Sequence, residues 1–232
     1  MPAASPISRT AQFRTTVTTV ETLSPRMRRI ELQADEVAET AWPLGCDIAV
    51  VLSADGREIR RRYTVRRVMA DRLIVDAVLH GHGPGASWAA VVAPGTAVTF
   101  YGPRGEVPVT GAGWLLALTD ESGLPAVAAL AEAIAPRPIR VLAEIADAAE
   151  HYPLPASAEV SWVERGADPA GRAERLEAAA AGIQPLGGPG FAYVLGESRA
   201  VVRLRDGLAR LGLTREDVYA KGYWNLQSRP TR

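Results

Sequence analysis

The sequence predicts two domains, a six-stranded antiparallel β-barrel in residues 1–108 followed by an α/β domain in residues 109–232. Short apolar segments separated by glycine, proline and polar turns fill the first half of the chain, as in small all-β domains. Beyond residue 105 strand-like segments alternate with helical ones, which is typical of a parallel sheet flanked by helices. A length of 232 residues is enough to bury two modest cores.

Six segments of the first half have the composition of β-strands, and no long helix interrupts them. A helical segment is predicted at 87–92, before the last strand. Short strands at this spacing favour a small closed barrel. The predicted strands are residues 12–22, 27–32, 47–52, 59–68, 73–79 and 97–101.

The second half of the chain alternates between the two kinds of element. The segment 218–224 ends in two large aromatic residues, Tyr223 and Trp224. Their bulk predicts packing against either the protein core or the ring of a ligand. Strands are predicted at 114–118, 139–145, 159–164 and 191–195, and helices at 125–134, 170–181 and 199–211.

Composition and charge exclude several classes of protein. The 26 basic and 26 acidic side chains give a formal net charge of zero, so the chain lacks the overall positive field of a nucleic-acid-binding protein. The single cysteine, Cys46, cannot form an internal disulfide, which favours a reducing cytoplasm. Neither a signal peptide nor an apolar stretch of about 18 residues is found, so no membrane span is expected.

An arginine-rich strand carries the first candidate site residues. Arg61, Tyr63 and Thr64 lie within a segment that holds five arginines between residues 60 and 67. A flavin needs an aromatic face, a hydrogen-bond partner near its redox-active nitrogen and positive charge for its diphosphate. Residues two apart share a face of a strand, so Arg61 and Tyr63 can act together. The alternative is a solvated edge strand whose charge prevents aggregation.

A glycine-rich loop follows the fifth predicted strand and precedes a helix. Its sequence, H-G-H-G-P-G-A-S-W, leaves backbone amides free to approach a phosphate at a helix N-terminus. A plain turn is the alternative, and the spacing of His80 and His82 does not predict a metal site because no third ligand lies nearby. The candidate cofactor contacts in this region are Val78, His80, Gly83, Pro84, Gly85, Ala86, Ser87 and Trp88.

The first strand of the second domain ends in an acidic turn, D-E-S-G-L-P, at residues 120–125. The G-x-G-x-x-G fingerprint of dinucleotide-binding domains is missing there. Acidic residues would repel a pyrophosphate, so a conventional clamp is disfavoured and Ser122 is expected to cap the following helix. Glu197 follows another strand, where it is either a crevice residue or a first-turn helix charge.

With these motifs in order, the chain resembles the siderophore-interacting proteins, a branch of the ferredoxin-reductase-like flavoproteins, from about Phe13 to Trp224. Where the family commonly has a basic residue and a glycine after its final Y-W, this chain has Asn225 and Leu226. The matching motifs are R-x-Y-T at 61–64, the H-G and glycine-rich loop at 80–88, G-P-R-G at 102–105, the acidic turn at 120–126, L-G-E at 195–197 and Y-W at 223–224.

The resemblance implies a ferredoxin-reductase-like fold, with FAD bound to the barrel and an α/β domain on the electron-donor side. It implies a cytoplasmic, monomeric reductase of ferric siderophores, with NADPH, NADH or reduced ferredoxin as donor. Two alternatives stay open: a general NAD(P)H:flavin or ferredoxin-type oxidoreductase, and a flavin-free ferric-siderophore binding protein. Which siderophore is used does not follow from the sequence.

The resemblance also implies roles for individual residues. Arg61 would neutralise the FAD diphosphate, Tyr63 would stack on the isoalloxazine and Thr64 would bond near its reactive nitrogen. Lys221 is the one candidate substrate contact. Flavin chemistry requires no catalytic acid or base, and no metal ligand is expected. The redox face would be bordered by Asp120, Glu121, Tyr223 and Trp224, with Asp120, Ser122 and Trp224 also touching the cofactor.

Overall fold

The computed structural model describes residues 11–54, 56–79, 83–184 and 186–226. Six strands form a closed barrel in the order β1-β2-β5-β4-β3-β6, and their pairings are antiparallel. All six predicted barrel strands are confirmed. The strands are Ala11–Ser24 (β1), Met27–Gln33 (β2), Asp47–Ala54 (β3), Arg57–Met69 (β4), Arg72–Val78 (β5) and Ala97–Arg104 (β6).

The barrel interior is built by alternate residues of its strands. In β1, Phe13, Thr15 and Val17 are buried while their neighbours are exposed, as a two-residue period requires. Phe13 stacks on Phe100 of β6 with 5.0 Å between ring centroids. The helix α1, Pro84–Val91, begins three residues before the predicted start because Pro84, with its fixed φ, is suited to a first helical position.

The second half is a five-stranded parallel sheet in the order β11-β10-β7-β8-β9. Its three inner strands, β10, β7 and β8, are almost wholly buried, which explains their largely apolar sequences. The strands are Trp114–Asp120 (β7), Ile139–Ile145 (β8), Ala158–Glu164 (β9), Gly190–Glu197 (β10) and Val218–Trp224 (β11), and the helices are Leu124–Ile134 (α2), Glu174–Ala181 (α3) and Ser198–Gly207 (α4).

Three details differ from the expectations from sequence. The segment Val218–Trp224, which was assigned to no element, is the outer strand β11. Helix α3 begins at Glu174, not at 170, because Gly171 and Ala173 have positive φ values of 87° and 58°, which lie outside the helical region. Ser122 does not cap α2: it lies in a 3-10 turn whose N-cap is the Asp120 carboxylate, which accepts a hydrogen bond from the Ser122 amide.

The barrel and the sheet share one hydrophobic cluster. Met27 and Val107 from the barrel side pack with residues of β7, β8, β10 and α2. Charged groups reinforce the contact: Arg66 of β4 makes two hydrogen bonds to Glu132 of α2, at 2.8 and 2.5 Å. At another point Ser24 donates to Glu150 at 2.5 Å. Because both apolar and ionic contacts cross the boundary, the two halves form one packed unit.

Among the helices within the described ranges, none has the length and hydropathy needed to span a bilayer.

Candidate functional site

A groove of about 220 Å³ lies between the barrel and the carboxyl end of the parallel sheet. The barrel side is formed by β4, the end of β5 and the start of α1, and the sheet side by the turn after β7 and the end of β11. Carboxyl ends of parallel strands are where open α/β sheets bind ligands. The groove is lined by Arg61, Arg62, Tyr63, Thr64, Asp76, Val78, Gly83, Gly85, Ala86, Ser122, Pro125, Tyr223 and Trp224.

Tyr63 forms the aromatic part of the barrel wall. Its hydroxyl donates a hydrogen bond to the Gly85 carbonyl oxygen at 3.1 Å, and its ring lies 5.4 Å from the ring of Trp88 between centroids. Burial raises the pKa of the Tyr63 phenol, so the group stays protonated. The ring is therefore held from one side by the loop and from behind by Trp88, with its position fixed before any ligand arrives.

The glycine-rich loop approaches β4 so closely that a side chain at Gly85 would make tight contacts with it. A Cβ at this position would lie 3.0 Å from the Tyr63 hydroxyl oxygen and 3.3 Å from Cγ of Arg61. The side chain of Arg61 is exposed and its guanidinium donates to the Arg60 carbonyl oxygen at 2.9 Å. The sequence interpretation that placed Arg61 and Tyr63 on one face agrees with these contacts, since both touch the same glycine.

Asp120 organises the sheet wall of the groove. One carboxylate oxygen accepts from the Ser122 amide at 2.8 Å and from the Ser122 hydroxyl. The other accepts from the Glu197 amide and from the indole nitrogen of Trp224, both at 2.9 Å. Asp120 itself does not line the groove, and its carboxylate fixes the two groove residues Ser122 and Trp224.

The C-terminal aromatics are anchored from several directions. The Ser198 hydroxyl donates to the Trp224 carbonyl oxygen at 3.0 Å, and the indole packs so closely on Gly171 that a Cβ there would lie 2.7 Å from it. Glu197 is the N-cap of α4, accepting from the amides of Arg199 and Ala200, and also accepts from the Leu226 amide at 3.0 Å. The Leu226 amide thus ties the chain after β11 to the end of β10.

Tyr223 and Lys221 have different surroundings. The Tyr223 hydroxyl is buried, and among the described residues it has no partner with hydrogen-bond geometry, although Thr64 lies close enough to favour its ionised form. Burial is the larger effect and raises the Tyr223 pKa. Lys221 does not line the groove: its ammonium lies 2.8 Å from the carboxylate of Asp47, and its side chain is 19% exposed.

The acidic side chains beside the turn are buried in their own cluster. Glu121 pairs with Arg165 at 2.5 Å and does not line the groove. Burial raises the pKa of Glu144 to about 7, with further contributions from Glu121 and Asp120, while Arg165 opposes the shift. The pKa of Glu121 is also raised, chiefly by burial. The carboxyl groups of Asp120, Glu121 and Glu144 thus lie together at this end of the sheet, with Glu121 paired to Arg165.

The structure brings most of the predicted site residues together. Pro84 and Ser87 lie in α1 behind the groove wall, with Trp88 against Tyr63. His80 lies outside the described residues. The predicted residues that line the groove are Arg61, Tyr63, Thr64, Val78, Gly83, Gly85, Ala86, Ser122, Tyr223 and Trp224.

Three lining residues were missed by the sequence interpretation. Asp76 precedes Val78 by two positions on β5 and shares its face, a periodicity that would have identified it. It pairs with Arg29 at 2.8 Å. Arg62 lies on β4 between two predicted residues, and Pro125 lies at the start of α2. No signal in the sequence separates Arg62 from the other arginines of its strand.

Two family models match the chain. The model described as siderophore-interacting FAD-binding domain matches residues 45–107, and the model described as siderophore-interacting protein matches residues 112–227. An uncharacterized protein of Mycobacterium tuberculosis is 35% identical over 181 residues, which are 72% of this chain and 64% of the relative. The chain thus spans less than two thirds of the length of the curated relatives that it matches.

Solved structures agree in fold over nearly the whole chain. A siderophore utilization protein from T. fusca is 30% identical with a TM-score of 0.83, covering 98% of this chain and 96% of that one. The siderophore-interacting protein SipS from Aeromonas hydrophila is 27% identical with a TM-score of 0.79, covering 95% and 93% of the two chains.

A more distant structure, phthalate dioxygenase reductase, shares the fold at 16% identity with a TM-score of 0.67, covering 91% of this chain and 68% of that one. The expected ferredoxin-reductase-like architecture is therefore confirmed. With both family models and the T. fusca structure matching across the barrel and the sheet, the chain belongs to the siderophore-interacting protein family.

Proposed function

We propose that this protein is a FAD-dependent reductase of ferric siderophores in the cytoplasm. The observation that carries the proposal is the groove, in which an aromatic ring, a basic strand and a glycine-rich loop of the barrel face the terminal aromatics of the sheet. In this proposal residues 1–108 bind FAD, and residues 109–232 form the electron-donor side. The family models support FAD binding by their description of residues 45–107.

The residues of the groove fit a flavin in shape and chemistry. Tyr63 offers a ring held by Trp88 and Gly85, and Thr64 offers a hydroxyl beside it. A ligand pocket for a drug-sized molecule typically measures about 300–1,000 Å³, so a groove of about 220 Å³ can hold only part of FAD, and we propose that this part is the ring system. The exposed guanidinium of Arg61 lies at the rim, where it would meet the diphosphate.

The sheet side would complete the site. Ser122 and Trp224 line the groove and are fixed by Asp120. The buried Tyr223 hydroxyl, which lacks a hydrogen-bond partner among the described residues, stays protonated and can donate to a ligand atom. We propose that these groups border the redox face, with Asp120 and Glu121 acting from behind it and His80 and the loop through Ser87 contributing to phosphate binding.

FAD, when bound, accepts electrons in pairs and passes them on singly. Ferric ion prefers the hard oxygen donors of a siderophore, whereas ferrous ion is held less strongly by them, so a one-electron reduction releases the metal. The electron balance requires two ferric siderophores for each NADPH or NADH, which loses a hydride, or for each two reduced ferredoxins. The residues of the chain hold the cofactor and shield it, and no side chain is required as nucleophile or base.

The acidic turn affects how an electron donor can bind. Asp120, Glu121 and Glu144 occupy the end of the sheet where a dinucleotide-binding domain would present a glycine-rich turn. Because carboxylates repel a pyrophosphate, a pyridine nucleotide would have to bind without the usual phosphate contact. NADPH, NADH and reduced ferredoxin therefore remain the three donors to be compared.

The experiment is a steady-state assay of the FAD-reconstituted protein under anaerobic conditions. Ferric siderophores of the catecholate and hydroxamate classes are each supplied with NADPH, NADH or reduced ferredoxin, and Fe(II) is captured by a chromogenic ferrous chelator. We expect Fe(II) to form only when protein, FAD and one of the donors are all present. FAD binding without Fe(II) formation in any combination would reject the reductase and retain the flavoprotein.

Rapid oxidation of the pyridine nucleotide by free flavin or another acceptor, with no dependence on the siderophore, would instead favour a general oxidoreductase. Failure of the protein to bind FAD would favour a carrier of ferric chelates.

A further inference from the structure

A buried ion pair joins the barrel to the sheet directly behind the groove. Asp47 of β3 is 4% exposed, and its carboxylate lies 2.8 Å from the ammonium of Lys221 on β11. The angles are not those of an aligned hydrogen bond, so the attraction is mainly between the two charges. Removing one partner of a buried pair leaves an uncompensated charge in a poorly solvated place.

Each member of the pair also contacts a residue that lines the groove. The Thr64 hydroxyl donates to the other carboxylate oxygen of Asp47 at 3.3 Å. The ammonium of Lys221 lies 5.0 Å from the centroid of the Tyr223 ring, within the range of a cation–π contact. Thr64 and Tyr223 line the groove, whereas Asp47 and Lys221 do not.

We infer that Asp47 and Lys221 form an interdomain clasp that positions Thr64 and Tyr223 against the flavin and keeps the charge behind the groove balanced. This inference rests on the proposed binding of FAD in the groove. It gives Lys221 a different role from the substrate contact expected from sequence, because its charge is already paired with Asp47 and is not free for an anionic siderophore. Both members of the clasp are positioning residues.

Removal of either charge of the clasp should shift the midpoint potential of FAD, in opposite directions for the two residues. A contact with a purely structural role would not produce opposite shifts. Asp47→Asn leaves the positive charge of Lys221 near the flavin, which favours the reduced, more negative form and raises the midpoint potential. Lys221→Met leaves the negative charge of Asp47 and lowers the potential. In the double variant both charges are absent, so the potential returns towards the wild-type value.

The experiment measures the midpoint potential of FAD bound to the full chain, together with FAD affinity and thermal unfolding. All variants are measured at the same pH and ionic strength. We expect opposite shifts of at least tenfold in the relative affinity for reduced and oxidised FAD, which corresponds to about 30 mV for a two-electron couple. Lys221→Gln is a second single variant at the more exposed member, should Lys221→Met not fold.

A matched control is Glu150→Gln, which removes another charge between the two halves at a site where Glu150 contacts Ser24 and the amide of Arg26. It should lower thermal stability without moving the potential. Shifts of the same sign in the two single variants, or none, would overturn the clasp while leaving FAD binding intact. Failure of the wild-type protein to bind FAD would overturn both the clasp and the proposed function.

Discussion

Replacing Tyr63 tests the barrel wall of the groove. In Tyr63→Ala the ring that packs 5.4 Å from Trp88 is lost. Stacking of an aromatic side chain on a planar base contributes about 1–3 kcal/mol, and about 1.4 kcal/mol corresponds to a factor of ten in affinity. We therefore expect the dissociation constant for FAD to rise about fivefold to about 150-fold.

Tyr63→Phe separates the ring from its hydroxyl. This variant keeps the ring and loses only the hydrogen bond to the Gly85 carbonyl oxygen, 3.1 Å long. A neutral hydrogen bond contributes about 1 kcal/mol net, so FAD affinity should fall by less than tenfold. The measurement is a titration of FAD followed by quenching of its fluorescence, with thermal unfolding in parallel.

Tyr101→Ala is the matched control. Tyr101 is another barrel tyrosine, but its ring lies 4.1 Å from the Arg60 guanidinium and it does not line the groove. Its replacement should leave FAD affinity within about twofold of wild type, a change of under about 0.5 kcal/mol. If Tyr63→Ala binds FAD as tightly as the wild-type protein, or if Tyr101→Ala weakens binding equally, the flavin does not rest on Tyr63.

Three further predictions concern individual carboxylates. Asp120→Asn places an amide among four donors, including the Trp224 indole. It should lower the free energy of unfolding, measured in urea, by about 2–4 kcal/mol. Unchanged stability would contradict the role of Asp120 in this hydrogen-bond network. Burial raises the pKa of Glu144 to about 7, so the contribution of Glu144 to folding stability is present below about pH 4.5 and is lost as the pH rises through 7. Glu144→Gln should therefore be more stable than wild type at pH 8 by up to about 3 kcal/mol. Equal stability of the two proteins at that pH would count against the raised pKa. Hydrogen bonds from Arg66 lower the pKa of Glu132 to about 2, so the contribution of Glu132 to folding stability is present above about pH 4.5 and is lost towards pH 2. Because its side chain is 33% exposed, Glu132→Gln should lower the free energy of unfolding by only about 1–2 kcal/mol at pH 7. A larger loss of stability at pH 2 than at pH 7 would refute the pairing with Arg66.

The barrel was predictable because its strands follow simple local rules. Phe13, Thr15 and Val17 alternate with exposed residues, and the segments between strands carry glycine, proline and polar residues. The buried parallel strands were equally evident from their apolar sequences. Strand β11 was not predicted from the sequence, because Lys221 and Gly222 break its apolar pattern and its pairing with β10 joins it to a strand that is distant in the chain.

The barrel half of the groove was predicted more completely than the sheet half. Arg61, Tyr63 and the glycine-rich loop are close in sequence to one another, and a two-residue period places the first two together. The role of Asp120 depends on Trp224, which lies 104 positions away in the chain. Its carboxylate was expected at the redox face, but no local pattern could show that four donors already occupy it.

The Asp47–Lys221 pair illustrates the same limit. The two residues belong to different halves of the chain, and each is a single charged residue in an otherwise ordinary strand. Only the folded structure reveals that Asp47, at the start of β3, lies against Lys221 of β11 and that the two charges neutralise one another. The predicted Ser122 cap on α2 was wrong for a related reason. Ser122 and Asp120 are both good cap residues, and Asp120 is the one that acts as a cap, on the 3-10 turn before α2. Its other carboxylate oxygen is held in place by Glu197 and Trp224.

The most direct test of the proposed function is a single-turnover experiment. FAD bound to the protein is reduced under anaerobic conditions, excess reductant is removed, and ferric siderophore is added while the flavin absorbance and the ferrous chelator complex are recorded together. The account predicts that the yellow absorbance returns and that two Fe(II) ions form for each FAD. Reduced FAD that stays bleached in the presence of ferric siderophore, with no Fe(II) formed, would contradict it.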